Sequence, residues 1–180
     1  AELPKLVEVE RPAGRALWYL TAALAGLRKG ELLSLRWGDV ELEKGTLSIR
    51  NSKAGRVDEI PLHPQLAAEL AVERPPLALP SAPVFARCVT DQRRRPDFVC
   101  AEIKLLDDAD RVADLHACRT ALGTRLARQG VAPQIAQRIM RHADYRTTLR
   151  HYTVLGLVDT ARAVNALPAI GVLGQSAQVA

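Results

Sequence analysis

Residues 25–60 read AGLRKGELLSLRWGDVELEKGTLSIRNSKAGRVDEI, and within this stretch the apolar pattern changes from a helical period to an alternating one. Just upstream, Leu17, Leu20, Leu24 and Leu27 fall at helical spacing behind Pro12, which suits a helix start. Gly26 interrupts that helix. Lys29–Leu35 predicts a second, shorter one, and Gly38-Asp39 a turn. Thr46–Arg50 and Arg56–Ile60 then alternate around Ser52-Lys53-Ala54-Gly55, a hairpin signal.

Further along, Leu66–Val72 reads as helix, and Pro75, Pro76, Pro80 and Pro83 make a rigid surface connection. Residues 92–105 read as helical and 107–114 as a loop. Leu115–Gln129 predicts a long helix stopped by Gly130 in the left-handed conformation. Pro133–Arg141, Thr147–Tyr152 and Val158–Ala166 predict three more helices. The order is helices, a hairpin, then helices. The expected fold is therefore α-rich: mainly α with a small antiparallel β-hairpin or sheet.

Composition sets the outer bounds. The 180 residues are 48% apolar and 25% charged, an ordinary globular balance that excludes collagen-like repeats and wholesale disorder. Three cysteines with no C-x-x-C spacing, Cys88, Cys100 and Cys118, indicate neither a disulfide framework nor a zinc site. No apolar run approaches the roughly 18 residues of a membrane span. The opening AELPKLVEVE lacks a basic region followed by an apolar one, so the expectation is a cytoplasmic protein without a signal peptide.

Charge is more informative. The net charge is +5, and 20 of the 25 cations are Arg. Residues 111–162 hold nine Arg and no Lys against only Asp114, Asp144 and Asp159. Arg suits two-pronged recognition of phosphate, so a basic C-terminal half points to a polyanion, nucleic acid first. Aromatic residues are only 4% of the chain, which fits contacts made by Arg rather than by base stacking.

Ala25-Gly26-Leu27-Arg28-Lys29-Gly30-Glu31-Leu32-Leu33-Ser34-Leu35-Arg36-Trp37-Gly38-Asp39-Val40 resembles the first arginine box of the tyrosine recombinases, the phage integrase family. His116-Ala117-Cys118-Arg119-Thr120 is similar to that family's H-x-x-R box. His142 follows in Met140-Arg141-His142-Ala143-Asp144, and Tyr152 in Thr147-Thr148-Leu149-Arg150-His151-Tyr152-Thr153. Ser52-Lys53-Ala54-Gly55-Arg56 resembles the hairpin that carries the family's lysine. The likeness spans about residues 14–167, and five pieces in one order make a strong joint signal.

The resemblance implies a tyrosine recombinase catalytic domain that breaks and rejoins DNA through a 3′-phosphotyrosyl intermediate. Such a step needs a nucleophile, stabilisation of the phosphoryl oxygens and a proton for the leaving alkoxide. Arg28 and Arg119 would each present a guanidinium fork to the non-bridging oxygens. Lys53 would protonate the leaving 5′-oxygen. His116, one helical turn from Arg119, would bind the phosphate or take the tyrosine proton. His142 would donate another hydrogen bond, and Tyr152 would attack phosphorus. This chemistry calls for no cofactor and no metal. Glu31 is expected to orient Arg28 or a neighbouring side chain, and His63 to be a surface loop residue.

The chain also departs from the family pattern. Arg141 stands where the family usually has glycine, and is expected either to add a phosphate contact or to crowd the site. The spacing of ten from His142 to Tyr152 exceeds the common nine, which would select His151; Tyr145 is a further alternative nucleophile. The family's N-terminal clamp domain is not expected among residues 1–13, which are all that precede the expected catalytic domain in this sequence. The expected organisation is residues 1–13 as a linker or arm remnant, 14–167 as the catalytic domain, and 168–180 as a tail, flexible or docked on a neighbouring protomer. The expected partners are double-stranded DNA and further copies of the chain on DNA, in a tetrameric synapse, with no membrane.

Competing readings are a catalytically inactive DNA-binding relative of the same family and a type IB topoisomerase. A third is a helix-turn-helix regulator built on Val131–Arg150, which leaves both arginine boxes unexplained. A hydrolase using His116, His142 and His151 as metal ligands lacks the H-E-x-x-H spacing.

Overall fold

The structure, a computed structural model, describes residues 2–51, 56–85, 91–106, 112, 114–152 and 164–167. Eight helices and a three-stranded sheet are formed among them. They are α1 (Glu2–Glu10), α2 (Ala16–Leu24), α3 (Lys29–Ser34), β1 (Val40–Glu41), β2 (Thr46–Asn51), β3 (Arg56–Pro61), α4 (Pro64–Glu73), α5 (Asp91–Cys100), α6 (Leu115–Arg128), α7 (Pro133–Met140) and α8 (Tyr145–Tyr152). A 3-10 turn, Trp37–Asp39, leads into β1. The fold is thus mainly helical with a small antiparallel sheet, as the sequence indicates.

α2 is the centre of the domain. Its sequence ALWYLTAAL is apolar on every side, and residues Ala16 to Ala23 are all buried, the pattern of a helix surrounded by protein. α1, α4 and α6 pack around it. The sheet runs β1-β2-β3, antiparallel throughout. Leu47 pairs with Ile60 across the β2–β3 ladder, and both are buried together with Ile49 and Leu62. Alternation puts these four on the core face, where Leu66 and Leu70 of α4 are also buried. β1 is a strand the sequence does not announce, since two residues are too few to show a period.

The opening residues differ from the linker or arm suggested by their polar composition. They form α1, whose Leu6 and Val7 enter the core. An ionic network ties this helix down. Arg15, between α1 and α2, pairs with buried Glu10 (2.6 Å) and buried Asp97 of α5 (2.7 Å). Tyr19 donates its phenolic hydrogen to the same Asp97 (2.9 Å). The charges are shared among three helices, which satisfies groups that would otherwise be costly to bury.

Helix ends follow their sequence signals. Asp114 caps α6, its Oδ1 accepting from the Ala117 N–H (2.8 Å). Gly130 stops the same helix at φ +71°. His63 is not a simple loop residue but the N-cap of α4, its Nδ1 accepting from the Gln65 N–H (3.2 Å). The residues expected to form a helix over Val158–Ala166 and the tail 168–180 lie largely or wholly outside the described residues.

Candidate active site

The site is built on the turn that follows α2. Gly26 has φ +60°, and a Cβ there would lie 2.8 Å from Leu122 Cδ2 of α6. The missing Cβ leaves room for the Leu122 side chain of α6, and the positive φ favours glycine. The turn presents the Gly26 carbonyl to Arg119, which donates one terminal nitrogen to it and the other to the Met140 carbonyl. Arg119 is 2% exposed. Burial, together with the charges of Arg28 and Arg141, lowers its pKa to about 9, so it still carries its charge at neutral pH.

Glu31 links the other two guanidiniums. The Arg28 N–H donates to Glu31 Oε2 (2.8 Å) and Arg28 Nη1 to Oε1 (2.8 Å). Arg141 Nη2 donates to Oε2 (2.7 Å). Arg28 Nη2 in turn donates to the carbonyl of Arg141 (3.2 Å). Burial pushes the Glu31 carboxyl up, but the Arg28 N–H and the Arg141 charge outweigh it, leaving the pKa below the usual carboxylate value. Glu31 therefore orients Arg28 and its neighbour Arg141 at once. Three cations around one carboxylate leave an excess of positive charge, suited to an anion.

His142 follows the end of α7. Its Nδ1 lies 2.9 Å from Thr148 Oγ1, and Thr148 is buried. Its ring stacks on His151, with centroids 6.2 Å apart and planes 12° from parallel. Burial comes first, then the charges of Arg119, His151, Arg28 and Arg141, in lowering the His142 pKa to about 4. His151 is lowered as well, by burial and by Arg119 and His116. The His142 ring is therefore neutral at physiological pH. His151 reaches this position over Gly123 of α6, where a Cβ would meet three of its ring atoms at 2.8–2.9 Å.

Tyr152 ends α8. Its hydroxyl donates to the Val131 carbonyl at 2.5 Å, so the phenol is docked on the α6–α7 connection. Burial and Tyr145 raise its pKa above that of free tyrosine. His116 lies exposed in the first turn of α6. Lys53 lies outside the described residues.

The structure thus brings Arg28, Arg119 and His142 together from three separate sequence boxes. It adds Thr148, which carries no sequence signal, and it sets Arg141, expected from its departure from glycine to contact phosphate or to crowd the site, against Glu31 and the Gly26 carbonyl. Among the described residues no group of three or more His, Cys, Asp or Glu is placed to hold a metal ion. No helix among them is long and apolar enough to cross a membrane.

An α-rich domain with two arginine boxes converging on one turn, and a histidine and tyrosine following on adjacent helices, is the arrangement of a tyrosine recombinase catalytic domain. The Phage integrase family model matches residues 10–156, and the chain belongs to that family. The tyrosine recombinase XerA of Pyrococcus furiosus is 28% identical over 156 residues, covering 82% of this chain and 53% of the relative. The crystal structure of XerA recombinase superposes with a TM-score of 0.71 at 22% identity, covering 94% of this chain and 64% of that one. A Tn1549 transposon integrase, solved in complex with a circular intermediate DNA, gives a TM-score of 0.67 at 19% identity, covering 91% and 63%. The chain spans about half the length of the tyrosine recombinases XerA that it matches.

Proposed function

We propose that this chain is the catalytic part of a site-specific DNA recombinase, which cleaves and rejoins double-stranded DNA without metal or nucleotide. The observation that carries this reading is the convergence of three guanidiniums on one turn: Arg28 and Arg141 share the Glu31 carboxylate, and Arg119 and Arg141 share the Gly26 carbonyl. A non-bridging pair of phosphoryl oxygens is the anion such forks fit, and their charge favours the added negative charge of a pentacoordinate phosphorus.

In the proposed reaction Tyr152 Oη attacks phosphorus while the bond to the 5′-oxygen breaks. The phenolic proton passes to a base, with His116 in that role, and Lys53 supplies a proton to the leaving 5′-alkoxide. The product is a 3′-phosphotyrosyl ester and a free 5′-hydroxyl. A second DNA 5′-hydroxyl reverses the step and completes strand exchange. When Thr148 donates to His142 Nδ1, the ring proton sits on Nε2 and is free for a phosphoryl oxygen. Arg28 is the most accessible of the three guanidiniums, with a side chain 46% exposed, and meets the phosphate first.

Tyr152, docked on the Val131 carbonyl, has to leave that bond before it attacks. The reading is therefore of a resting site that DNA rearranges. The catalytic unit is assigned to residues 14–167 together with α1, which shares its core, acting in the cytoplasm as a tetramer on DNA. The docked phenol equally suits the second reading, a DNA-binding relative without chemistry.

One experiment separates the two. The chain is incubated with duplexes nicked beside candidate scissile phosphates, drawn from DNA flanking its gene, and denatured. A covalent protein–DNA adduct, absent from Tyr152→Phe, is expected. Salt-sensitive binding with no adduct on any duplex would favour the inactive relative.

A further inference from the structure

α6 and α7 end with the same backbone stop, made by different residues. At the end of α6 the Gly130 N–H donates to the Ala127 carbonyl (3.0 Å) and the Val131 N–H to Leu126 (3.1 Å). At the end of α7 the Arg141 N–H donates to Arg138 (3.1 Å) and the His142 N–H to Gln137 (3.1 Å). The residue in the left-handed region is glycine in the first stop, at φ +71°, and arginine in the second, at φ +52°. Glycine adopts that conformation without steric cost, whereas a residue with a Cβ does so only when its surroundings hold it there.

The surroundings of Arg141 do this through its side chain, which is 3% exposed. Its guanidinium donates to Glu31 Oε2 (2.7 Å), to the Gly26 carbonyl (3.1 Å) and to the Ile139 carbonyl (3.1 Å). A charge buried to this degree needs such partners. The left-handed turn also carries the Arg141 carbonyl to Arg28 Nη2 (3.2 Å). Both prongs of Arg28 therefore depend on Arg141, one through the carboxylate it pins and one through its own carbonyl.

We infer that Arg141 is the positioning residue for Arg28. Its guanidinium fixes Glu31, Glu31 fixes Arg28, and the shared carboxylate cannot neutralise Arg28 alone. With glycine in its place, Glu31 and Arg28 would form a one-to-one pair, free to swing and without net charge. The inference rests on the reading of Arg28 as a phosphate-binding group only for its effect on cleavage; the restraint on Arg28 stands apart from it.

Two measurements on the full chain test it, in wild type, Arg141→Gly and Arg141→Lys. The first is the NMR signal of the Arg28 side-chain N–H groups, assigned by its loss in Arg28→Lys. In wild type these should be resolved and slow to exchange. In Arg141→Gly they should shift and exchange faster, as in a mobile ion pair with Glu31, with the fold retained because glycine suits the left-handed turn. Arg141→Lys keeps the charge but not the fork, and should fall between. The second is single-turnover adduct formation beside DNA affinity. Arg141→Gly should form the adduct about tenfold or more slowly, with a clearly smaller loss of DNA affinity, and Arg141→Lys should recover part of the rate.

An Arg28 signal unchanged in whichever of the two variants folds would overturn the inference, as would a loss of DNA affinity equal to the loss of rate. If wild type forms no adduct, the recombinase reading fails while the Arg28 signal still decides the role of Arg141.

Discussion

Tyr152 donates its hydroxyl to the backbone carbonyl of Val131 at 2.5 Å, which places the proposed nucleophile against the α6–α7 connection and holds its proton on. Burial, with Tyr145 adding, raises the phenol above its ordinary pKa. A group raised in the folded state contributes stability that is complete below the unfolded value near 10 and is lost as pH rises through the folded value. Wild type should therefore lose stability above about pH 10 more steeply than Tyr152→Phe. Urea unfolding midpoints across pH 8 to 11 check this, and parallel curves would contradict it.

His142 works in the opposite direction. With its pKa lowered to about 4, it is neutral in the fold but binds a proton in the unfolded chain near pH 6.5. The sign is that of a depressed group: its contribution is present above about 6.5 and fades as pH falls toward 4. NMR titration of the ring should show no midpoint between pH 5 and 8. Thr148→Val, which removes the partner of Nδ1, should slow cleavage while leaving DNA affinity unchanged.

Gly26→Ala should be among the most damaging single changes. It places a Cβ at φ +60° and 2.8 Å from Leu122 Cδ2, combining a strained backbone with overpacking. A loss of about 2–4 kcal/mol is expected, read from the urea midpoint. The same turn supplies carbonyls to Arg119 and Arg141, so activity should fall further than the remaining folded fraction explains.

Gly123→Ala should separate stability from geometry. Alanine in a helix interior gains about 0.5–1 kcal/mol over glycine, but its methyl would occupy the place of the His151 ring. The stack of His142 on His151 should be lost with little net change in melting temperature. Chemical shifts of the two rings report this directly.

Asp97 is the hub of the network joining α1, α2 and α5. Asp97→Ala leaves Arg15 with one carboxylate and Tyr19 without its acceptor. Breaking a buried pair by removing one partner costs about 3–5 kcal/mol. Thermal unfolding measures it, and a cost below about 1 kcal/mol would mean the network is not what fastens α1.

Much of this molecule is legible in the sequence, for identifiable reasons. The all-apolar run ALWYLTAAL, the alternation of Thr46–Ile60 and the stop at Gly130 are local signals, and each corresponds to the observed element. α1 was harder to read because its apolar face is only Leu3, Leu6 and Val7 among acids. What makes it a helix of this domain is the pairing of Arg15 with both Glu10 and the distant Asp97. Arg28, Arg119 and His142 could be picked out because they sit in spaced motifs. Thr148 and the double role of Glu31 could not, since both follow from contacts across more than one helix. The docking of Tyr152 on Val131 is likewise a tertiary fact, joining residues from two helix ends.

The central claim is that Tyr152 is the group that becomes linked to DNA. The most direct test digests the trapped adduct with protease and nuclease and identifies the nucleotide-bearing peptide by mass spectrometry. A 3′-nucleotide on Tyr152 is the expected result. A modified Tyr145 or His151, with Tyr152 unmodified, would contradict it.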